Sequence, residues 1–403
     1  MKKYLILGAG PAGLSLANRL QQLGEDSFIV LEKENEAGGL CRSTTVDNAP
    51  LDIGGGHFLD VRRPKVNEFL FEFMPEKEWD IYTRDSQIEI EGKTVNHPIE
   101  ANIWQMNIEK QVEYLKSIAV AGCNLNKAIP EKFIDWIFWK LGDKIATDYM
   151  IPYNKKMFGE NLNQLGTFWL EKLPNVSFEE TLLSCLNKKM YGTQPGHAQF
   201  YYPKNFGYGE LWLRMAKKIS NNIKYSTSVC KIDFNHRKVF DRNGKEYQAE
   251  QIISTIPWCG FDECIGLSWD QQDNIKQLKY SSIQTEYYSK NMDTKAQWIY
   301  YPSYRLKYHR ILVRHNFCPN SRGYWTETNA DRVSKDTNSY FHYMNEFAYP
   351  LNTINKPTVM KDLLTWTEKK GVIGLGRWGE WEHYNSDVVV SKAIDLAERL
   401  IKK

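Results

Sequence analysis

Several absences in this 403-residue chain narrow its function before any motif is read. No apolar run approaches the roughly 20 residues needed to cross a bilayer, so a membrane-spanning helix is not expected. A net charge of +3 is too small to argue for a nucleic-acid or anionic-membrane partner. The seven cysteines (41, 123, 185, 230, 259, 264 and 318) are scattered. None forms a CxxC pair, and no Cys/His group has zinc-ligand spacing, so no metal site is expected. An odd, dispersed set suits reduced thiols. A strand is expected to begin within three residues of Met1, so no signal peptide is expected. The expectation is a cytoplasmic protein. No internal repeat or low-complexity linker interrupts the chain.

What is present is a globular balance of 42% hydrophobic and 25% charged residues, in a length that allows two or three domains. The 23 Tyr, 18 Phe and 13 Trp are a heavy load, and Tyr and Trp suit a sugar- or nucleotide-binding cleft as well as a core. The two ends look alike. "KKYLILGAGPAGLSLANRL" opens the chain, and "GVIGLGRWGEWEHYNSD" lies at residues 371–387. Each reads as an apolar strand, a glycine turn and a helix. Either the protein holds two nucleotides, or both ends fold back onto one long cofactor.

The N-terminal unit is the more specific. Gly8 permits a tight turn, Gly10 lets backbone approach a pyrophosphate, and Gly13 lets helix and strand pack closely. Pro11 and Ala12 open the helix, whose N-terminus offers N–H groups and a positive dipole to phosphate. A second strand, "SFIVLEK", ends at Glu32 and Lys33, with Glu32 placed to accept hydrogen bonds from a ribose. Two further glycine turns follow: "AGGLCRST", with Gly38, Gly39 and Leu40, and "LDIGGGHF", with Gly54, Gly55 and Gly56 before His57. A nicotinamide domain has no need of them. A longer cofactor does, because its ring must meet bare backbone beyond the first turn. The pattern resembles the FAD-binding fold shared by amine oxidases, phytoene desaturases and protoporphyrinogen oxidases.

That resemblance implies a discontinuous FAD domain. "NNIKYSTSVCKIDF" reads as a strand pair that clamps adenine near Val229, and "EYQAEQIISTIPW" as a strand ending in a Thr-x-Pro turn. The C-terminal stretch then resembles the return in which Gly376 and Arg377 approach flavin and pyrophosphate, with a helix starting beside Asp387. No acidic strand end follows these glycines, so one FAD held by both ends is the reading. The expected class is α/β: a discontinuous Rossmann-type FAD-binding domain (1–85, 190–260 and 360–403), an inserted hairpin and helical subdomain (86–189), and the antiparallel β-sheet of a substrate domain (261–359). The hairpin is expected to turn at Glu91-Gly92-Lys93.

"LDIGGGHF", "GKTVNHPIEANIW", "PYNKKMFGENLNQL", "YYPKNFGYGELW", "YHRILVRHNFCP" and "GRWGEWEHYNSD" occur in an order similar to that of UDP-galactopyranose mutases and related flavoproteins of surface-sugar biosynthesis. The resemblance spans nearly the whole chain. It implies reduced FAD, supplied with electrons by NAD(P)H or another donor, whose N5 attacks the anomeric carbon of a nucleotide sugar. The sugar ring then opens and recloses at the other size. It implies a flavin-contacting role for His57 and a diphosphate role for Arg310, with Arg305 and Arg314 as nearby alternatives. Tyr349 matches a diphosphate-binding tyrosine, and Phe158 stands where the family has a tryptophan near uridine. Two departures stand out. Lys172 replaces a diphosphate arginine, and Phe206 replaces one glycine of a pair, which is expected to reshape the wall beside the flavin. They keep open a second reading, an FAD oxidoreductase of the amine oxidase or desaturase type. A third keeps FAD structural and uses the aromatic cleft for binding alone.

Overall fold

A computed structural model describes residues 2–170, 173–192, 198–333 and 339–402. The first sheet is built on short strands whose central residues are apolar and buried, such as Tyr4–Leu7 and Phe28–Leu31, the pattern of strands covered on both faces. Five strands run parallel in the order Ile223–Lys224, Phe28–Leu31, Lys2–Leu7, Glu246–Ser254 and Val372–Gly374. Alternation along Lys2–Leu7 sends Tyr4 and Ile6 to one core and Leu5 and Leu7 to another. Helices Pro11–Gln22 and Ser386–Ile401 supply Leu14, Ala17, Val390 and Ala393 to the first core. Helix Lys356–Lys369 supplies Val359, Met360 and Leu363 to the second. Both ends of the chain therefore sit in one sheet. They meet where a Cβ added to Gly376 would lie 2.8 Å from the Cβ of Ala12.

The long strand Glu246–Ser254 continues past the parallel part into an antiparallel meander with Lys238–Asp241 and Val229–Asp233. The expected strand pair over 221–234 does not form. Ile223–Lys224 pairs with Phe28–Leu31, while Val229–Asp233 pairs with Lys238–Asp241. The intervening Lys224–Thr227 backbone is occupied elsewhere, along Glu32 and Glu34.

A second sheet of seven strands runs Phe341–Pro350, Tyr280–Tyr288, Tyr324–Asn329, Arg310–Leu312, Trp298–Tyr300, Ser86–Ile90 and Lys93–Asn96. The hairpin does turn at Glu91 and Gly92, both at positive φ, with Ile90 facing Lys93. It is also an edge of this sheet, because Ser86–Ile90 runs parallel to Trp298–Tyr300. The sheet is thus antiparallel except at that one join. Helices Ile108–Ala119, Phe133–Ile145, Ile151–Phe158 and Phe178–Asn187 make up the inserted helical segment.

Candidate functional site

The first glycine turn answers to the protein on one side and to a ligand on the other. Gly8 has φ +100°, and an added Cβ would lie 2.6 Å from Thr255 Oγ1, which donates to the Leu7 carbonyl. A Cβ on Gly13 would lie 2.0 Å from the Gly8 carbonyl oxygen. Gly10 differs. Its φ of −81° suits any residue, and the nearest atom to an added Cβ is Gly39 Cα at 3.8 Å. Nothing among the described residues requires glycine there. Helix Pro11–Gln22 starts with no side-chain cap and no acidic residue in its first turn, and Pro11 at its start has no N–H to satisfy. The N–H groups of Ala12 and Gly13 thus face a bare cradle formed with Gly39, which suits a phosphate.

Glu32, buried just past its strand, accepts from Ala9 N at 2.7 Å and from Glu34 N at 3.0 Å. Burial pushes its carboxyl above the usual carboxylate range. A carboxylate has about four acceptor positions, so two remain for ribose hydroxyls. Thr227 N donates to the Glu32 carbonyl, which brings Val229, the first residue of its strand, to the same end. Lys33 points outward and pairs with Glu34. These features fit the adenosine and pyrophosphate of FAD.

At the other end a cleft with about 970 Å³ of empty space, part of it open, runs between the seven-stranded sheet, the turn at residues 54–57 and the C-terminal return at residues 377–387. Among its lining residues are Gly54, Gly56, His57, Arg84, Trp298, Arg310, Glu327, Tyr349, Arg377 and Asp387. The glycines 54 to 56 were expected to be bare for a flavin ring, yet their Cβ positions face protein. These would lie 1.7 Å from the Leu40 carbonyl oxygen, 2.8 Å from Glu327 Oε1 and 2.2 Å from Leu312 Cδ2 respectively. The protein's own packing demands them.

His57 follows that turn. Its Nδ1 lies 3.0 Å from the Gly55 carbonyl oxygen, which can only accept. Burial, with the Arg377 and Arg310 charges behind it, lowers the imidazole to about 3. The ring is therefore neutral at pH 7, with the proton on Nδ1 and Nε2 left as an acceptor. Arg310 pairs with the buried Glu327 through both Nε and Nη2, and Nη2 also donates to the Tyr349 hydroxyl at 3.2 Å. Phe158, the last residue of its helix, packs edge-on against Tyr349 at 6.3 Å. Arg377 donates to the Tyr384 and Ala348 carbonyls and meets no carboxylate among the described residues. Burial lowers its guanidinium from the usual value. Asp387, at the start of helix Ser386–Ile401, pairs with Arg63.

The competing arginines separate cleanly. Arg314 is fully buried and donates to the Val46 and Arg322 carbonyls, while Arg305 is exposed outside the cleft. Phe206 is a correction. It lies at the surface with Arg214 over its ring and does not line the cleft. Lys172 lies outside the described residues. Sequence reasoning missed Glu327, Arg84 and Trp298. A lone acidic residue inside "YWTETN", at an inward strand position, was the available signal for the first.

Two predictions follow from these contacts. Gly10→Ala should leave the apoprotein's stability within about 0.5 kcal/mol but abolish flavin retention, whereas Gly54→Ala should destabilise by about 1–3 kcal/mol. Urea denaturation and flavin absorbance after gel filtration read both. Arg310→Ala should cost about 3–5 kcal/mol by leaving Glu327 buried without its partner. Adding Glu327→Gln should recover a large part of that loss in the same denaturation assay.

Residues 11–285 match the family described as flavin containing amine oxidoreductase. A Baeyer-Villiger monooxygenase from Pseudomonas aeruginosa is 42% identical over 74 residues, 18% of this chain and 12% of that protein. An uncharacterized protein in the nifH2 3' region of Methanothermococcus thermolithotrophicus is 44% identical over 52 residues, 13% of this chain and 49% of that one. The chain thus matches less than half the length of either curated relative. A solved structure of reduced UDP-galactopyranose mutase superposes with TM-score 0.89 and 20% identity, covering 100% of this chain and 94% of that one. A putative protoporphyrinogen oxidase from Exiguobacterium sp. 255-15 superposes with TM-score 0.72 and 13% identity, covering 100% and 99%. At such identities the likeness is one of fold. Among the described residues no helix is long and apolar enough to cross a membrane, no acidic, His or Cys group could hold a metal ion, and seven cysteines are free. The match over two thirds of its length places this chain in the flavin containing amine oxidoreductase family, as a Rossmann-type flavoenzyme.

Proposed function

We propose that the protein is a UDP-galactopyranose mutase-like isomerase, interconverting pyranose and furanose forms of a nucleotide sugar for a surface polysaccharide in the cytoplasm. The observation that carries this reading is the charge of the cleft. Its carboxylates Asp60, Asp387 and Glu327 each have their own arginine, in Arg62, Arg63 and Arg310. Arg84 and Arg377 also line it and pair with no carboxylate among the described residues. Two surplus positive charges in a walled cleft favour an anionic substrate and repel a cationic one.

Residues 1–85, 190–260 and 360–403 would hold FAD, through Gly8 to Gly13, Glu32, Gly39, Leu40, Val229, Gly376, Arg377 and Asp387. Residues 86–189 and 261–359 would form the substrate side. Reduced flavin, re-formed by NAD(P)H or another donor, supplies a nucleophilic nitrogen for the anomeric carbon. The protein's part is positional and electrostatic. Arg310, held by Glu327 through Nε and Nη2, leaves Nη1 beside the Tyr349 phenol to donate to the diphosphate. Phe158 backs Tyr349 on the uridine side. The neutral His57, fixed by Gly55, holds an acceptor nitrogen at Nε2 toward the cleft, where it can take or direct a sugar hydroxyl proton.

The second reading, hydride removal from an amine as the family's name indicates, is favoured by the family match alone. Among the described residues the cleft offers an ammonium no carboxylate that lacks an arginine.

Dithionite-reduced protein should convert one member of a panel of nucleotide sugars to an isomer of equal mass on anaerobic chromatography, and oxidised protein should not. Failure across the panel, with an amine bleaching the oxidised flavin, would overturn the proposal.

A further inference from the structure

The two surplus arginines of the cleft are not equivalent. Arg377 lies at the C-terminal return, next to Gly376 and the start of helix Pro11–Gln22, on the flavin side. Arg84 lies across the substrate sheet. Register places Glu327, Arg310 and Tyr300 side by side on three adjacent strands, so their side chains share one face. Trp298, two residues before Tyr300, is on that face too. Arg84 caps the far end of the row. Its Nη2 donates to the Tyr300 hydroxyl at 2.7 Å, its Nε donates to Ser86 Oγ at 2.8 Å, and its guanidinium lies 4.4 Å over the Trp298 ring. Its Nη1 makes no hydrogen bond among the described residues, and the side chain lines the cleft.

This is a held guanidinium with an open edge. The stacking and the two anchoring bonds fix its plane, so little freedom is lost when an acceptor arrives. Arg310 and Tyr349 already form one anion-binding corner, and Tyr300 separates that corner from Arg84 along the row. One diphosphate on Arg310 leaves Arg84 facing the sugar. A neutral hydroxyl there would leave a charge uncompensated once water is excluded. A planar carboxylate would match the fork with two parallel bonds.

We propose that Arg84 reads a carboxylate on the glycosyl group, so that the substrate is a nucleoside-diphosphate hexuronate and not a neutral hexose. This rests on the mutase-like reading of the cleft and names its substrate class. Arg84 is then a specificity-determining residue.

Calorimetry of UDP, UDP-galactose and UDP-galacturonate against FAD-loaded wild type and Arg84→Gln tests it, with flavin absorbance as the check that the variant is folded. The wild type should bind UDP-galacturonate at least about thirtyfold more tightly than UDP-galactose, the low end of what one member of a desolvated charge pair is worth. In Arg84→Gln that ratio should fall to near one. Equal affinities in the wild type would overturn the hexuronate assignment while UDP binding kept the mutase-like reading standing. A variant that loses UDP and both sugars alike would make Arg84 a diphosphate contact, which also overturns it. No UDP binding by the wild type would remove both proposals together. If the variant does not hold flavin, the wild-type ratio alone decides.

Discussion

One buried carboxylate joins the two halves of this site. Glu327 is 1% exposed and lies in the middle of the seven-stranded sheet. One of its oxygens takes Arg310, and the other lies 3.4 Å from Gly56 N and fills the space where Gly55 lacks a side chain. The contact ties the seven-stranded sheet to the glycine turn at residues 54–56. His57 is fixed by the same turn, through the Gly55 carbonyl. A buried ion pair seldom contributes net stability, since desolvating both charges offsets their attraction. What this one contributes is geometry. It sets the distance between the imidazole and the guanidinium, the two groups with most chemistry in the cleft.

The same bond shapes the electrostatics. With Glu327 neutralising Arg310, and Asp60 and Asp387 held by Arg62 and Arg63, the field inside the cleft comes from Arg84 and Arg377. Burial keeps His57 neutral, and the Arg377 charge, with that of Arg310, adds to the effect. A fold shared with proteins of several chemistries does not choose among substrates.

The sequence made the nucleotide end legible because its demands are local. A tight turn and a close helix–strand contact each need one residue type at one spacing, and Gly8 and Gly13 meet them in the fold, with Glu32 buried at the end of the next strand and bonded to Ala9 N. The strands flanking those turns were readable for the same reason. The strand pair near Val229 was misread because apolar periodicity shows that a segment is extended and says nothing of which neighbour it joins. Phe206 failed differently: its place beside a glycine suggested the flavin wall, but its ring turned outward under Arg214. Arg84 was invisible, and Glu327 was signalled only by its inward strand position, because their roles exist only across strands far apart in the chain, at Tyr300, Arg310 and the glycine turn. Long-range register is what a linear reading lacks.

The central claim is that this cleft selects anions. A titration of the oxidised, flavin-loaded protein with UDP and, separately, with putrescine, followed by the flavin absorption spectrum at two ionic strengths, tests it most directly. UDP should perturb the spectrum without reducing the flavin, more weakly at high salt, and the diamine should do nothing. Bleaching by the diamine, with no response to UDP at either salt concentration, would contradict it.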